Sequence, residues 1–167
     1  RDLARSFNAH YGETFVMPTA RIVKDTAKVP GTDGQKMSKS YGNTLGLFED
    51  AKELRKKIMR ISTDSRPMED PKDPDTDHLY QLYALFASPE QRQEVREIYL
   101  KGGFGYGDIK KRLADVADEF LNPLRAKRAE LANDASFVSR ALEQGAQRAR
   151  QVAREVLHRV QKNCGLK

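Results

Sequence analysis

Apolar residues along most of this chain recur at helical spacing, with charged and polar residues between them. Leu3, Phe7 and Tyr11 fall near one face of a helix over residues 2–11, which Gly12 ends. Over residues 50–61, Ala51, Leu54, Ile58 and Ile61 repeat the pattern, and Asp50 with Glu53 resembles a capping box. A helix over roughly 76–87 carries Leu79, Leu82, Tyr83 and Phe86 as its stripe. Ser88-Pro89-Glu90-Gln91 is a strong start signal, with Ser as cap, Pro in the first turn and Gln three residues on. That helix stops at Gly102-Gly103.

Residues 108–131 direct Ile109, Leu113, Val116, Phe120, Leu124 and Leu131 inward. Pro123 removes a backbone donor there and is expected to kink or split the helix. The last helix opens at Asp134, with Phe137, Val138, Ala141, Leu142, Val152, Val156 and Val160 as its stripe. Three stretches break the periodicity. Residues 14–23 read as extended, although Pro18 argues against a central strand. Residues 30–46 are a loop with four glycines. Residues 62–75 are a second loop, holding Pro67, Pro71 and Pro74.

The expected fold is therefore mainly α: a short α/β or loop-rich start, then a helical bundle, with the boundary near residue 50. The first portion has too little apolar content to bury a sheet alone, so a missing N-terminal partner is expected. The chain opens at Arg1 inside a helical pattern without an initiator Met, which reads as a fragment.

Composition narrows the class. Among 167 residues, 38% are hydrophobic and 32% charged, which suits amphipathic helices better than a thick sheet. No apolar run approaches the length of a membrane span. The net charge is +6, and residues 134–167 hold seven Arg or Lys against three acids. A basic helical end could meet nucleic acid by counterion release, or could be a solvated face. Cys164 is the single cysteine, which rules out an intrachain disulfide and fits a reducing cytoplasm. His10, His78 and His158 lie far apart without a metal-ligand grouping.

The sharpest chemistry is Lys36-Met37-Ser38-Lys39-Ser40, inside GTDGQKMSKSYGN. Two lysines three residues apart supply mobile positive charges, and Ser38 and Ser40 supply hydroxyl donors. Gly31, Gly34 and Gly42 let the backbone approach a ligand closely. Such a loop suits a phosphate chain, where each charge-assisted hydrogen bond contributes on the order of 1.5–3 kcal/mol. It is not a Walker A loop, because GxxxxGK[ST] is absent. Composition alone is equally compatible with an exposed basic loop that has no role.

The pentapeptide Lys36–Ser40 matches the second signature of class I aminoacyl-tRNA synthetases at every position. Arg1-Asp2-Leu3-Ala4-Arg5, Phe7-Asn8, Tyr11-Gly12-Glu13, Phe15 and Pro18 resemble the segment that leads to this loop in bacterial tryptophanyl-tRNA synthetases. Ser40-Tyr41-Gly42-Asn43-Thr44, Thr63-Asp64-Ser65, Gly105-Tyr106-Gly107-Asp108-Ile109-Lys110 and Asn122-Pro123-Leu124-Arg125 are similar too. The resemblance covers nearly the whole chain. It implies that residues 1–49 end a Rossmann-like catalytic domain whose main part is missing, and that residues 50–167 form the helical domain on the anticodon side.

The resemblance also implies the chemistry. Tryptophan is activated by ATP, usually with Mg²⁺, and passed to tRNA(Trp) by a cytoplasmic homodimer. Lys36 and Lys39 are the implied catalytic cations. Met37, Ser38 and Ser40 join them in binding ATP. Val29 is placed near adenine, with an ordinary apolar strand end as the competing reading. Arg140, Arg148, Arg150, Arg154 and Arg159 are candidate phosphate contacts for RNA. The glycines suggest a loop that moves and closes only when polyphosphate is bound, and Asp64 is a candidate brace for its closed form. No His-x-Gly-His signature occurs, and His10 followed by Tyr11-Gly12-Glu13 does not supply one. The chain alone is therefore not expected to make an adenylate. A tyrosyl relative and a non-catalytic helical RNA-binding module are the alternatives.

Overall fold

The computed structural model describes residues 1–23 and 26–166. Its helices are α1 (Asp2–Tyr11), α2 (Ala51–Met59), α3 (His78–Phe86), α4 (Pro89–Lys101), α5 (Tyr106–Ala132) and α6 (Ala135–Asn163). A short 3₁₀ turn spans Lys39–Tyr41. Among the described residues there is no strand. One isolated antiparallel bridge pairs Pro30 with Lys36. Of the expected α/β or loop-rich start, the structure shows the loop-rich form: residues 14–23 have no regular secondary structure. A strand needs a second strand for its amides and carbonyls, whereas the Thr14 and Phe15 backbone groups are taken by the Asn8 side chain.

The chain divides into two compact units, residues 23–129 and residues 1–22 with 130–167. The first holds the core. Leu54 and Ile58 of α2, Leu79, Leu82 and Tyr83 of α3, Val95 and Tyr99 of α4, and Ile109, Leu113 and Leu121 of α5 are buried in one cluster. Each helix contributes residues three or four apart, the spacing that brings side chains onto one face. Local signals set the helix starts. The Asp50 side chain accepts from the Lys52 and Glu53 amides. Glu53 pairs with Lys56, so only half of the expected capping box forms. At Ser88 the box is complete in both directions. Asp77 caps α3 by accepting from the Tyr80 amide at 3.0 Å.

Helix α5 is not split at Pro123, and part of its expected stripe is not buried. It runs on through Pro123. Pro123 and Glu119, whose carbonyl loses its partner, are both exposed, so water can take the vacant bond. Phe120 and Leu124 are 51% and 43% exposed. The buried stripe runs through Leu113, Ala117 and Leu121, and these two side chains lie beside it. Phe120 instead meets Phe86 edge to face at 5.7 Å.

In the second unit, α1 ends at Gly12, and Phe7 packs against Tyr11 and Phe15 with ring centroids 4.8 and 4.9 Å away. Asn8 ties the chain after α1 back onto it. Its Oδ1 accepts from the Thr14 and Phe15 amides and its Nδ2 donates to the Phe15 carbonyl. Asn163, at the end of α6, donates to Thr14 Oγ1 at 2.6 Å. Helix α6 buries no residue. Of its expected apolar stripe, Phe137, Val138, Leu142 and Val152 are exposed. No helix of the described residues is long and apolar enough to cross a membrane.

Candidate functional site

The loop singled out by its lysines is a small hydrogen-bonded structure within the unit of residues 23–129. Its base is the bridge between Pro30 and Lys36. Gly31 N–H donates to the Gln35 carbonyl at 2.6 Å, and Met37 N–H donates to the Val29 carbonyl at 2.9 Å. Val29 and Met37 are half-buried and pack against the core. They thus hold the loop down by its apolar side, while Lys36 and Lys39 are exposed.

Ser38 caps the 3₁₀ turn that Lys39 opens, accepting the Ser40 amide on its Oγ. The Ser38 and Ser40 hydroxyl oxygens lie 2.7 Å apart. Gly42 closes the turn with φ +67, a left-handed angle that a side chain rarely adopts. Five expected site residues, Lys36 to Ser40, are therefore on one ordered turn, and Val29 hydrogen-bonds to it. Two ammonium groups project from a backbone that is hydrogen-bonded at the Met37, Ser38 and Ser40 amides and at the Lys36 carbonyl. This arrangement can receive a flexible polyanion without reorganising the main chain.

The centre of the loop is Asn43, which the chemistry of the sequence did not single out. It is 3% exposed. Its Oδ1 accepts the Ser38 amide at 2.8 Å. Its Nδ2 donates to Asp33 Oδ1 at 2.8 Å and to the Lys36 carbonyl at 3.3 Å. Its own carbonyl accepts the Thr32 amide at 3.0 Å. The hydrogen bond from Asn43 holds the Asp33 carboxyl below the usual carboxylate range. A Cβ at Gly31 would lie 2.3 Å from Asn43 Nδ2, so only glycine fits beside it. The following segment attaches through Ser62, whose amide donates to the Thr32 carbonyl at 2.9 Å.

Asp64, the expected brace, lies two residues beyond that attachment. It accepts from the Tyr106 hydroxyl at 2.7 Å and pairs with Arg66 Nε at 2.8 Å. Near it Lys72 is 3% exposed. Its Nζ donates to the Pro67 and Asp70 carbonyls at 3.0 and 3.1 Å, and it lies 4.4 Å from the centre of the Phe104 ring. Lys72 anchors the proline-rich loop, a role its charge concealed in the sequence. The arginines Arg148, Arg150, Arg154 and Arg159 are exposed on α6. Arg140, on the same helix, donates to Ser136 Oγ at 2.8 Å. Among the described residues no group of His, Cys, Asp and Glu could hold a metal ion.

The chain is similar to known proteins over nearly its whole length. A family model described as tRNA synthetases class I (W and Y) matches residues 1–122. A tryptophan–tRNA ligase of Rhodopirellula baltica is 59% identical over 167 residues, which is 100% of this chain and 52% of the relative. One of Fusobacterium nucleatum is 42% identical, over 99% of this chain and 51% of the relative. The crystal structure of a tryptophanyl-tRNA synthetase from Campylobacter jejuni, complexed with ADP and tryptophan, superposes with a TM-score of 0.76. It is 38% identical and covers 99% of this chain and 52% of that one. The chain thus spans about half the length of the curated relatives it matches.

Proposed function

The chain belongs to the class I tRNA synthetases of the tryptophan and tyrosine type, and from that membership we propose that it is the C-terminal part of a tryptophan–tRNA ligase. The similarity to relatives of that name over the full chain supports tryptophan over tyrosine as the substrate. On this reading residues 1–49 close a Rossmann-like catalytic domain, and residues 50–167 form the helical domain that approaches the anticodon. The arginines of α6 then contact tRNA(Trp) phosphates. The complete protein acts as a homodimer in the cytoplasm.

The reaction has two steps. A tryptophan carboxylate oxygen bonds to the α-phosphorus of ATP, and the bond from that phosphorus to the β-bridging oxygen breaks, releasing pyrophosphate. A hydroxyl of the tRNA 3′-terminal ribose then attacks the carbonyl carbon of the adenylate, and the bond from that carbon to the phosphate oxygen breaks, releasing AMP and a proton. The carboxylate is ionised at neutral pH, so the first step needs no general base. It needs compensation for the negative charge that moves onto pyrophosphate. Lys36 and Lys39 supply that, with Ser38 and Ser40 donating to phosphate oxygens. Val29 and Met37 anchor the loop from below and border the nucleotide. Mg²⁺ accompanies the ATP.

The single observation that carries this reading is the pair of exposed ammonium groups on a turn whose backbone is fixed from within. Tryptophan-dependent exchange of pyrophosphate into ATP by the full-length protein tests it. Exchange with tryptophan and none with tyrosine is expected. Exchange with tyrosine alone would move the chain to the tyrosyl branch, and exchange with neither would overturn the reading.

A further inference from the structure

We infer that Asn43 is a positioning residue for amino-acid activation, acting through the backbone that carries Lys36, Ser38 and Lys39. This inference rests on the proposed role of that loop. Asn43 touches no part of either ammonium group. It binds the main chain at Lys36 and at Ser38, each the lysine itself or its neighbour in sequence.

The carboxamide is suited to this task because it donates and accepts at once. Ser38 N–H requires an acceptor and the Asp33 carboxylate requires a donor, so the two ends of the amide are assigned by their partners. Nδ2 uses both of its hydrogens, one on Asp33 and one on the Lys36 carbonyl. Asp33 is itself held, since its Oδ1 also accepts the Gln35 amide at 3.0 Å. The side chain therefore joins the ascending arm of the loop, at residues 33 and 36, to the turn at residue 38. The burial of Asn43 keeps water from competing for these bonds. The lysine side chains remain mobile while their origins are fixed. Such preorganisation lowers a barrier without strengthening ground-state binding of the amino acid.

The test is Asn43→Asp in the full-length protein. This change keeps size and the oxygen that serves Ser38. It replaces the donor with an oxygen facing the Asp33 carboxylate and the Lys36 carbonyl. The expected result is a fall in kcat for pyrophosphate exchange on the order of 10- to 100-fold, a raised KM for ATP and an unchanged KM for tryptophan. Combining it with Asp33→Asn places an amide opposite the new carboxylate and should recover part of the loss. Wild-type kinetics in Asn43→Asp would overturn the inference. So would a double variant no better than the single one, or a loss confined to the fraction of folded protein. If Asn43→Asp does not fold, Asp33→Ala, which removes the acceptor of Asn43 Nδ2, should still raise the KM for ATP, and an unchanged value would overturn the inference equally. Replacing Lys36 and Lys39 by Ala separates the two levels. Loss there with normal Asn43→Asp kinetics removes only the role of Asn43, whereas full activity there removes the reading of the loop itself.

Discussion

Tyr106 and Asp64 stand 42 residues apart in the chain, and the hydroxyl of one donates to the carboxylate of the other at 2.7 Å. This bond joins the start of α5 to the loop after α2. Burial pushes the Asp64 carboxyl up, but the Tyr106 hydroxyl, the Arg66 amide and the positive charges of Arg66 and Lys72 outweigh it, so the carboxyl is held below its usual range. Tyr106→Phe should therefore destabilise the protein by about 1 kcal/mol, the ordinary worth of such a bond at a partly exposed site. Urea unfolding measures it. An unfolded aspartate takes up a proton near pH 4, and the folded one only at lower pH. The contribution is complete above that range and is lost as pH falls through the folded value. The gap between wild type and variant should narrow on acidification. Equal midpoints at neutral pH would contradict the assignment.

The tyrosines predict behaviour at the other end of the scale. Burial, reinforced by Asp77, pushes the Tyr99 hydroxyl well above its ordinary value, and burial raises Tyr83 and Tyr106 as well. An unfolded tyrosine ionises near pH 10, when these remain protonated. The unfolded state then holds fewer protons than the folded one, so stability falls as pH rises past about 10. Tyr99→Phe should make that fall shallower in thermal unfolding followed against pH. A slope unchanged by the substitution would contradict the burial of Tyr99.

Gly31→Ala tests how tightly the loop closes. The added carbon would lie 2.3 Å from Asn43 Nδ2 and 2.8 Å from the Asn43 carbonyl oxygen. One of these groups is backbone and cannot yield as a side chain does. The expected cost is about 1–3 kcal/mol, together with faster exchange of the Ser38 amide hydrogen. Protection of that amide equal to wild type would show that Asn43 does not fill the space.

The core makes a contrast within one experiment. Ile58 is fully buried and Phe120 is 51% exposed. Ile58→Ala should cost about 2–5 kcal/mol. Phe120→Ala removes a larger side chain but should cost only roughly 1.5–2.5 kcal/mol, about half the range for a buried Phe, because half of it already meets solvent. Thermal unfolding of the two variants ranks them. The reverse order would mean that Phe120 belongs to the core.

These contrasts mark what the sequence could convey. Ser88 with Gln91, and Asp50 ahead of α2, are local signals in which residue types meet partners within one turn. They predicted helix starts to within a residue or two. The lysines and serines of the loop could be picked out as candidates from the pentapeptide itself, and the structure places them on one turn. Asn43 was not, since its importance lies in bonds to Asp33 and to the backbone at residues 36 and 38, which only the folded loop brings together. Phe120 and the stripe of α6 show a related limit. Periodicity says which residues share a face, but not what covers that face. At Pro123 the lost donor predicted a kink or a split, and the exposure of the Glu119 carbonyl lets α5 continue without a split. The buried Lys72 was hidden for the opposite reason: its charge points to the surface, and three carbonyls and an aromatic ring hold it inside.

The central claim concerns Lys36 and Lys39, and the most direct measurement is the rate of tryptophan-dependent pyrophosphate exchange by the full-length protein with both lysines replaced by alanine. Neither side chain supports the core, so the variant should unfold at the wild-type temperature. The rate should fall by at least the order of 10²–10³-fold that loss of one preorganised donor costs. Exchange at the wild-type rate would contradict the account.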